Sequence, residues 1–318
     1  MPETTKTAAE ETVPVAAAPA EAARDSGPAP GKPRSLAADA WAELRRNPLF
    51  VISAVLIFFL LVVAAFPSLF TSADPTAGDL SEHFLDKPKL GHFFQPDWFG
   101  YDNQGRSIYA RVVYGTRVSI IVGVGVTVLV TVFGGLLGML AGYFGGLWDT
   151  ILSRLTDIFF GIPFLLGAMV VLNAFTDRTV WTVIGALAFL GWTQITRVMR
   201  GAVITAKHAD YVVAARALGA STSRILFRHI LPNAVAPVIV VATIALGTYI
   251  VAESTLSFLG LGLGTNDVSW GGDIDTATDH IRNAPHLLFF PAGMLSLTVL
   301  AFIMLGDAVR EALDPKLR

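Results

Sequence analysis

Few side chains in this sequence could do covalent chemistry, and their spacing makes an active site hard to assemble. His208, Asp210 and His229 lie near one another in the chain. Two imidazoles and a carboxylate could hold a metal or act as a general base, provided that they converge in one pocket. On a basic, polar stretch they read more simply as solvated loop residues. Cysteine is absent, which excludes a disulfide framework, a thiolate zinc site and a cysteine nucleophile. No G-x-x-x-x-G-K-[ST] occurs, so the chain cannot bind nucleotide as a P-loop ATPase does. Glu253 stands apart as a carboxylate within a long apolar run, near its outer end. Such a residue either lines a translocation path or gate, or pairs locally. No catalytic residue and no metal site is assigned, and the chain is not read as an enzyme.

The elements that must carry these residues are membrane helices. Of 318 residues, 53% are hydrophobic and 15% charged, against about 45–50% apolar and about 25% charged in soluble chains. The formal net charge of -2 gives no basic excess for nucleic acid. A bilayer core of about 30 Å takes roughly 20 apolar residues per helix. Six stretches approach that requirement, over about 48–70, 118–143, 158–175, 180–198, 234–259 and 286–305. Only Thr176–Thr179 separates the third from the fourth, so the two could instead form one interrupted re-entrant hairpin. Residues 1–40 are of different material: Thr4–Lys32 is rich in Ala, Pro and Glu and has no aromatic residue. That composition cannot offset its ordering entropy and reads as a disordered cytoplasmic tail, without the charged start and apolar core of a signal peptide. With the N-terminus inside, 16 of the 23 Lys and Arg residues fall on the inner side, which sets both termini in the cytoplasm. The sequence thus divides into a tail and a membrane-spanning domain over 41–318, with an outer loop 71–117 and an inner loop 200–231.

The inner loop carries the strongest pattern. Tyr211–Pro232 reads YVVAARALGASTSRILFRHILP. An Ala-rich helix over Ala209–Leu218 is favoured, and Gly219 sits where a left-handed cap ends a helix. Ser221 is placed to cap a second helix, Thr222–Leu231, and Pro232 to open the fifth span. The expected product is a rigid helix-turn-helix elbow. Ile225, Phe227, Ile230 and Leu231 exceed what one short surface helix can bury, while Ala214 and Ala215 leave room for another backbone. On the second span, Gly134, Gly138 and Gly142 form a G-x-x-x-G-x-x-x-G row that lets helix backbones touch. It serves either packing within the subunit or a seam with a partner.

This elbow resembles the EAA motif of binding-protein-dependent ABC importers. Ala214, Ala215, Gly219, Leu231 and Pro232 fall at the matching positions, with Val213 in the Glu position and His229 in the Ile position. Trp98–Ser119 resembles the stretch before the second span in C-type permease subunits of the dipeptide, oligopeptide and nickel family. Gly100, Asp102, Gly105, Arg106, Arg111, Tyr114, Gly115, Arg117 and Ser119 match there. Leu256–Gly262, Trp270–Gly271 and Gly306–Arg318 carry further matches. The resemblance implies an all-α integral membrane fold, with six transmembrane helices of the type I ABC importer permease kind and a cytoplasmic coupling helix. It also implies a second, B-type permease subunit, two ABC ATPase subunits that bind ATP and Mg, and an extracytoplasmic substrate-binding protein. The setting it implies is the bacterial inner or plasma membrane, crossed several times. In that family the loop docks into the ATPase, which makes Ala214, Ala215, Gly219, Ile225, Phe227, His229, Leu231 and Pro232 the coupling residues. The expected cargo is a dipeptide or oligopeptide. Nickel or another small solute is the alternative, and an autonomous secondary carrier a further one.

Overall fold

Helix ends in this chain are set by local side chains that satisfy orphan backbone groups. The computed structural model describes residues 41–264 and 267–313. The expected tail over 1–40 and the final Asp-Pro motif lie outside these described residues. Helix α1 (Pro48–Ala65) is capped by Asn47, whose side chain accepts from Leu49 N at 2.9 Å, with Pro48 in the first turn. Helix α2 (Ile108–Phe144) is capped by Ser107, which accepts from Ala110 N at 3.2 Å. It runs without interruption into the second apolar stretch. The second span therefore begins about ten residues earlier than composition suggested, because Ile108–Arg117 packs against the protein and continues the helix.

Helices α3 (Gly146–Phe160) and α4 (Phe164–Asn173) meet at an 86° bend. The expected third span, 158–175, is thus not one continuous helix. Pro163 disfavours the helical region for Ile162 and offers no N–H to the ladder, so the helix stops at Gly161. Helix α5 (Val180–Lys207) opens with a capping box of Thr179 and Thr182. Helix α6 (Asp210–Ala217) is short, and α7 (Thr222–Phe258) follows it after a four-residue turn. Helices α8 (Trp270–Thr278) and α9 (His286–Leu313) complete the set. Among the described residues there is no strand, only two isolated bridges in the loop after α1.

Four helices, α1, α2, α7 and α9, are long and apolar enough to cross a membrane, and the bent pair α3–α4 makes a fifth if it counts as one broken span. Helix α5 is not in that set. Its 28 residues reach about 42 Å at 1.5 Å each, but Gln194, Arg197, Arg200 and Lys207 make its second half polar.

The main apolar cluster joins α2, α4, α5 and α7 through residues such as Val126, Leu187, Ile195 and Val238. Where α2 crosses α5, the glycine row packs within the chain. A Cβ on Gly134 would lie 2.5 Å from the Trp192 carbonyl oxygen, and one on Gly142 would lie 2.8 Å from that of Arg200. The gap admits a hydrogen bond between helices, Thr196 Oγ1 to the Gly134 carbonyl, at 3.0 Å. Small residues allow such backbone contact where lipid supplies no hydrophobic drive. Gly138→Ala is expected to destabilise the purified chain by roughly 1–3 kcal/mol through overpacking. Gly293→Ala, on α9, adds a Cβ with nothing within 4 Å and should be neutral or stabilising by up to about 1 kcal/mol. Thermal melts in detergent compare the two.

Candidate functional site

The elbow forms from α6, a turn and the first residues of α7. Gly219 takes φ +79°, the left-handed conformation that glycine adopts at little cost. Ala220 N then donates to the Ala215 carbonyl and Gly219 N to that of Arg216, both at 3.0 Å. That pair of bonds is a Schellman closure, which satisfies carbonyls left open by the helix end. Ser221 accepts from Arg224 N at 3.4 Å and starts the next helix.

The expected second helix is not a separate element. Ile225–Ile230 forms a π-turn and passes directly into the α-helix that begins at Leu231. Pro232 explains the widening: it cannot donate to Arg228, and its ring would crowd that carbonyl in a regular helix. The Asn233 side chain donates to the His229 carbonyl at 2.9 Å, replacing part of the lost ladder. The elbow is therefore joined to α7 by continuous helical backbone.

The apolar side chains divide between core and surface. Ile225 and Ile230 are buried in the main cluster, and Leu231 packs half-buried against it. The expectation that they stand proud of the bundle is corrected for Ile225 and Ile230, because the π-turn rotates them inward. Val212 anchors α6 in the same core. Phe227 stays 55% exposed and Leu218 88% exposed, alongside Tyr211 and Val213. Ala214, Gly219 and Pro232 are exposed, whereas Ala215 and His229 are half-buried. His208 and Asp210 are exposed and share no hydrogen bond with His229. Among the described residues, no group of three His, Asp or Glu side chains could hold a metal.

The base of the elbow is tied down by charge. Lys207 Nζ donates to the Tyr143 carbonyl at 2.9 Å, and Arg200 Nη2 meets Asp149 Oδ2 at 2.7 Å. These contacts fix the end of α5 against the junction of α2 and α3.

At the far end of the bundle, Glu253 is fully buried. Ser257 donates to its Oε1 at 2.8 Å, and Ser119 and Ser254 to its Oε2 at 3.3 Å each. It is enclosed between α2 and α7, and of the two readings open for it this packing is that of a locally paired carboxylate. Ser257 lies one helical turn on at i+4, on the same face, and Ser254 is its immediate neighbour in the chain.

A second buried charge site had not been recognised. Arg111, on α2, pairs with Asp273, on α8, at 2.5–2.7 Å, and donates to the Pro75 carbonyl at 3.1 Å. Trp270 is buried beside it, donates Nε1–H to the Val112 carbonyl at 3.0 Å, and fills the space that Gly115 leaves. Asp102 accepts from Arg106 Nε at 2.7 Å and from the Arg106 backbone at 2.9 Å. Gly100 and Gly105 both take positive φ in the turns that shape this loop. The matched stretch Trp98–Ser119 is thus largely occupied with its own chain.

The family described as "Binding-protein-dependent transport system inner membrane component" matches residues 134–318. The chain belongs to this family. "N-terminal TM domain of oligopeptide transport permease C" matches residues 35–88. Relatives of this permease include the oligopeptide transport system permease protein OppC of Bacillus subtilis (strain 168), 37% identical over 90% of this chain and 92% of its own length. The dipeptide transport system permease protein DppC of the same strain is 37% identical over 88% and 86%. The glutathione transport system permease protein GsiD of Escherichia coli O6:K15:H31 (strain 536 / UPEC) is 36% identical over 87% and 90%. The chain is a permease of ABC importer type.

Removing one partner of the buried pair leaves an uncompensated charge. Asp273→Ala is expected to cost about 3–5 kcal/mol by this argument. The double change Arg111→Met with Asp273→Leu should cost less than Asp273→Ala alone, measured by melts of the purified permease.

Proposed function

We propose that this permease subunit imports peptides, forming half of a translocation pathway with a second, B-type permease subunit. Two ABC ATPase subunits supply the energy and an extracytoplasmic binding protein delivers cargo. The observation that carries the coupling part is the elbow: Tyr211, Val213, Leu218 and Phe227 are each exposed on a capped, core-anchored turn. Four large apolar side chains beside charged residues fit a protein partner better than water. Glutamate is absent at Val213, so apolar packing replaces one polar contact at that position. The excess of Lys and Arg on the inner side supports cytoplasmic termini, and with them an elbow on the side where ATP is hydrolysed.

The mechanism is alternating access. ATP closes the ATPase dimer and the elbow moves with it. The unbroken helix from Thr222 to Phe258 carries that motion into the bundle. The far end then opens to accept cargo from the receptor. ATP and Mg are bound by the ATPase subunits, and this chain holds neither.

Peptide cargo is favoured because relatives at 37% identity are named for oligopeptide and dipeptide transport. Glutathione, named for another relative, is itself a small peptide. The direct experiment reconstitutes the chain with its partner permease, ATPases and receptor in liposomes and follows labelled dipeptide and oligopeptide uptake. ATP-dependent uptake supports the reading. Uptake by this chain alone without ATP would make it an autonomous carrier, and competition by nickel but not by peptides would change the cargo.

Leu218→Asp combined with Phe227→Asp is expected to lower ATP-driven uptake at least about tenfold, because charging the patch opposes apolar docking. Co-purification of the ATPase subunits should fall in parallel. Val213→Glu, which restores the acid usual in the family, should leave uptake intact.

A further inference from the structure

Most polar side chains on the long helices are engaged inside the chain. Thr243 and Thr255 on α7 each donate to the carbonyl four residues back at 2.8 Å, and Thr196 on α5 bonds across to α2. Two do not. Gln194, half-way along α5, and Thr248, on α7, are exposed, and no hydrogen bond engages either side chain among the described residues. Both open onto the same cavity of about 490 Å³, which lies between α5, α7 and the bend that joins α3 to α4. Tyr249 closes its back, with the phenol Oη–H donating to the Gly191 carbonyl at 3.4 Å.

The lining is specific in what it omits. The bend contributes Phe160, Pro163 and Phe164, and α7 contributes the stripe Val241, Ile244 and Ala245. None of the lining residues is Asp, Glu, Lys, Arg or His. The nearest cation in sequence, Arg197, lies one turn beyond Gln194. It is already committed, 4.0 Å above the Phe160 ring and 3.3 Å from Asp157 Oδ1.

A carboxamide and a hydroxyl left unpaired against a largely apolar cavity need a polar neighbour, because the apolar walls supply none. From the unpaired amide at the mouth of an uncharged, part-aromatic cavity, we infer that Gln194 and Thr248 line the cargo path and bind the peptide backbone. A carboxamide both donates and accepts, matching the N–H and C=O that every peptide bond carries whatever its side chain. Aromatic and aliphatic walls accept varied side chains, and a lining without charge neither traps nor rejects an ionised one. The cavity falls within the usual range of about 300–1,000 Å³ for small-ligand sites. The cargo part of this inference rests on the peptide reading above; the location of the path does not.

The absence of cysteine from the chain makes the test direct. Single variants Gln194→Cys, Thr248→Cys and Val55→Cys are assembled with the partner subunits in liposomes and treated with a charged, water-soluble thiosulfonate. Val55 is 63% exposed in the middle of α1, remote from the cavity. Gln194→Cys and Thr248→Cys should react at least about tenfold faster than Val55→Cys, and transported cargo should slow their reaction. Gln194→Leu should raise the apparent KM for peptide uptake at least about fivefold, and Gln194→Asn should recover part of the loss. Labelling of Gln194→Cys in the isolated chain but not in the assembly would overturn the path and make this face a seam with the second permease. Labelling without protection by cargo, or unchanged uptake kinetics in Gln194→Leu, would overturn cargo contact. Should the wild-type assembly carry a non-peptide solute instead, the peptide reading and backbone recognition fall, while the labelling rates still decide the path.

Discussion

Where α2 and α5 cross, no side chain separates their backbones at Gly134, Gly138 and Gly142. That contact sets the position of much else. It brings Tyr143 within reach of Lys207 and Asp149 within reach of Arg200, and so fixes the point from which α6 departs. It also holds Trp192 and Ile195 inward, which leaves Gln194 on the opposite side of the helix, facing the cavity. A row of larger residues would separate the two axes, displace α5 and shift both the elbow and the cavity lining. Backbone approach through small residues suits a medium in which apolar surface gains nothing by association.

Much of this arrangement was legible in the residues, for physical reasons that differ by element. Gly219 and Ser221 announce the elbow because left-handed caps and hydroxyl N-caps are local requirements, met or missed within four residues. The apolar stretches announce helices because their length alone matches a bilayer. The bend at Pro163 was half-legible: proline marks a break, but the angle depends on what α5 and α7 leave room for. The π-turn over Ile225–Ile230 was not, since it follows from Pro232 lying inside a continuing helix rather than at the start of one. One extra residue per turn rotates Ile225 and Ile230 into the core and leaves Phe227 outside, which no periodicity of 3.6 would indicate.

Buried charge was the least legible feature. Arg111 and Asp273 are 162 positions apart, and each alone resembles a solvated loop residue. Only their tertiary pairing takes them from water, together with Trp270 and Gly115. Glu253 illustrates the converse. A carboxylate in an apolar run attracts a functional reading, yet three serine hydroxyls and close glycine contacts enclose it. Through Ser119 the acid ties α7 to α2, while Gly271 and Gly262 lie against its serine neighbours Ser254 and Ser257.

Charge and neutrality are therefore sorted along the molecule. Ion pairs gather near the helix ends, where Arg200 meets Asp149 and Arg111 meets Asp273, and they cross-link elements that must keep their relative positions. The middle of the bundle is held by small-residue contact and hydroxyl bonds, which can slide or re-pair at lower cost than a buried salt bridge can break. Such a division suits a permease. Rigid ends preserve the elbow and the loop assembly around Trp270, while the uncharged middle, bordered by the α3–α4 bend, is the part able to change shape. The continuous backbone from Ser221 to Phe258 spans both regions, so displacement at one end need not be relayed through side-chain contacts to reach the other.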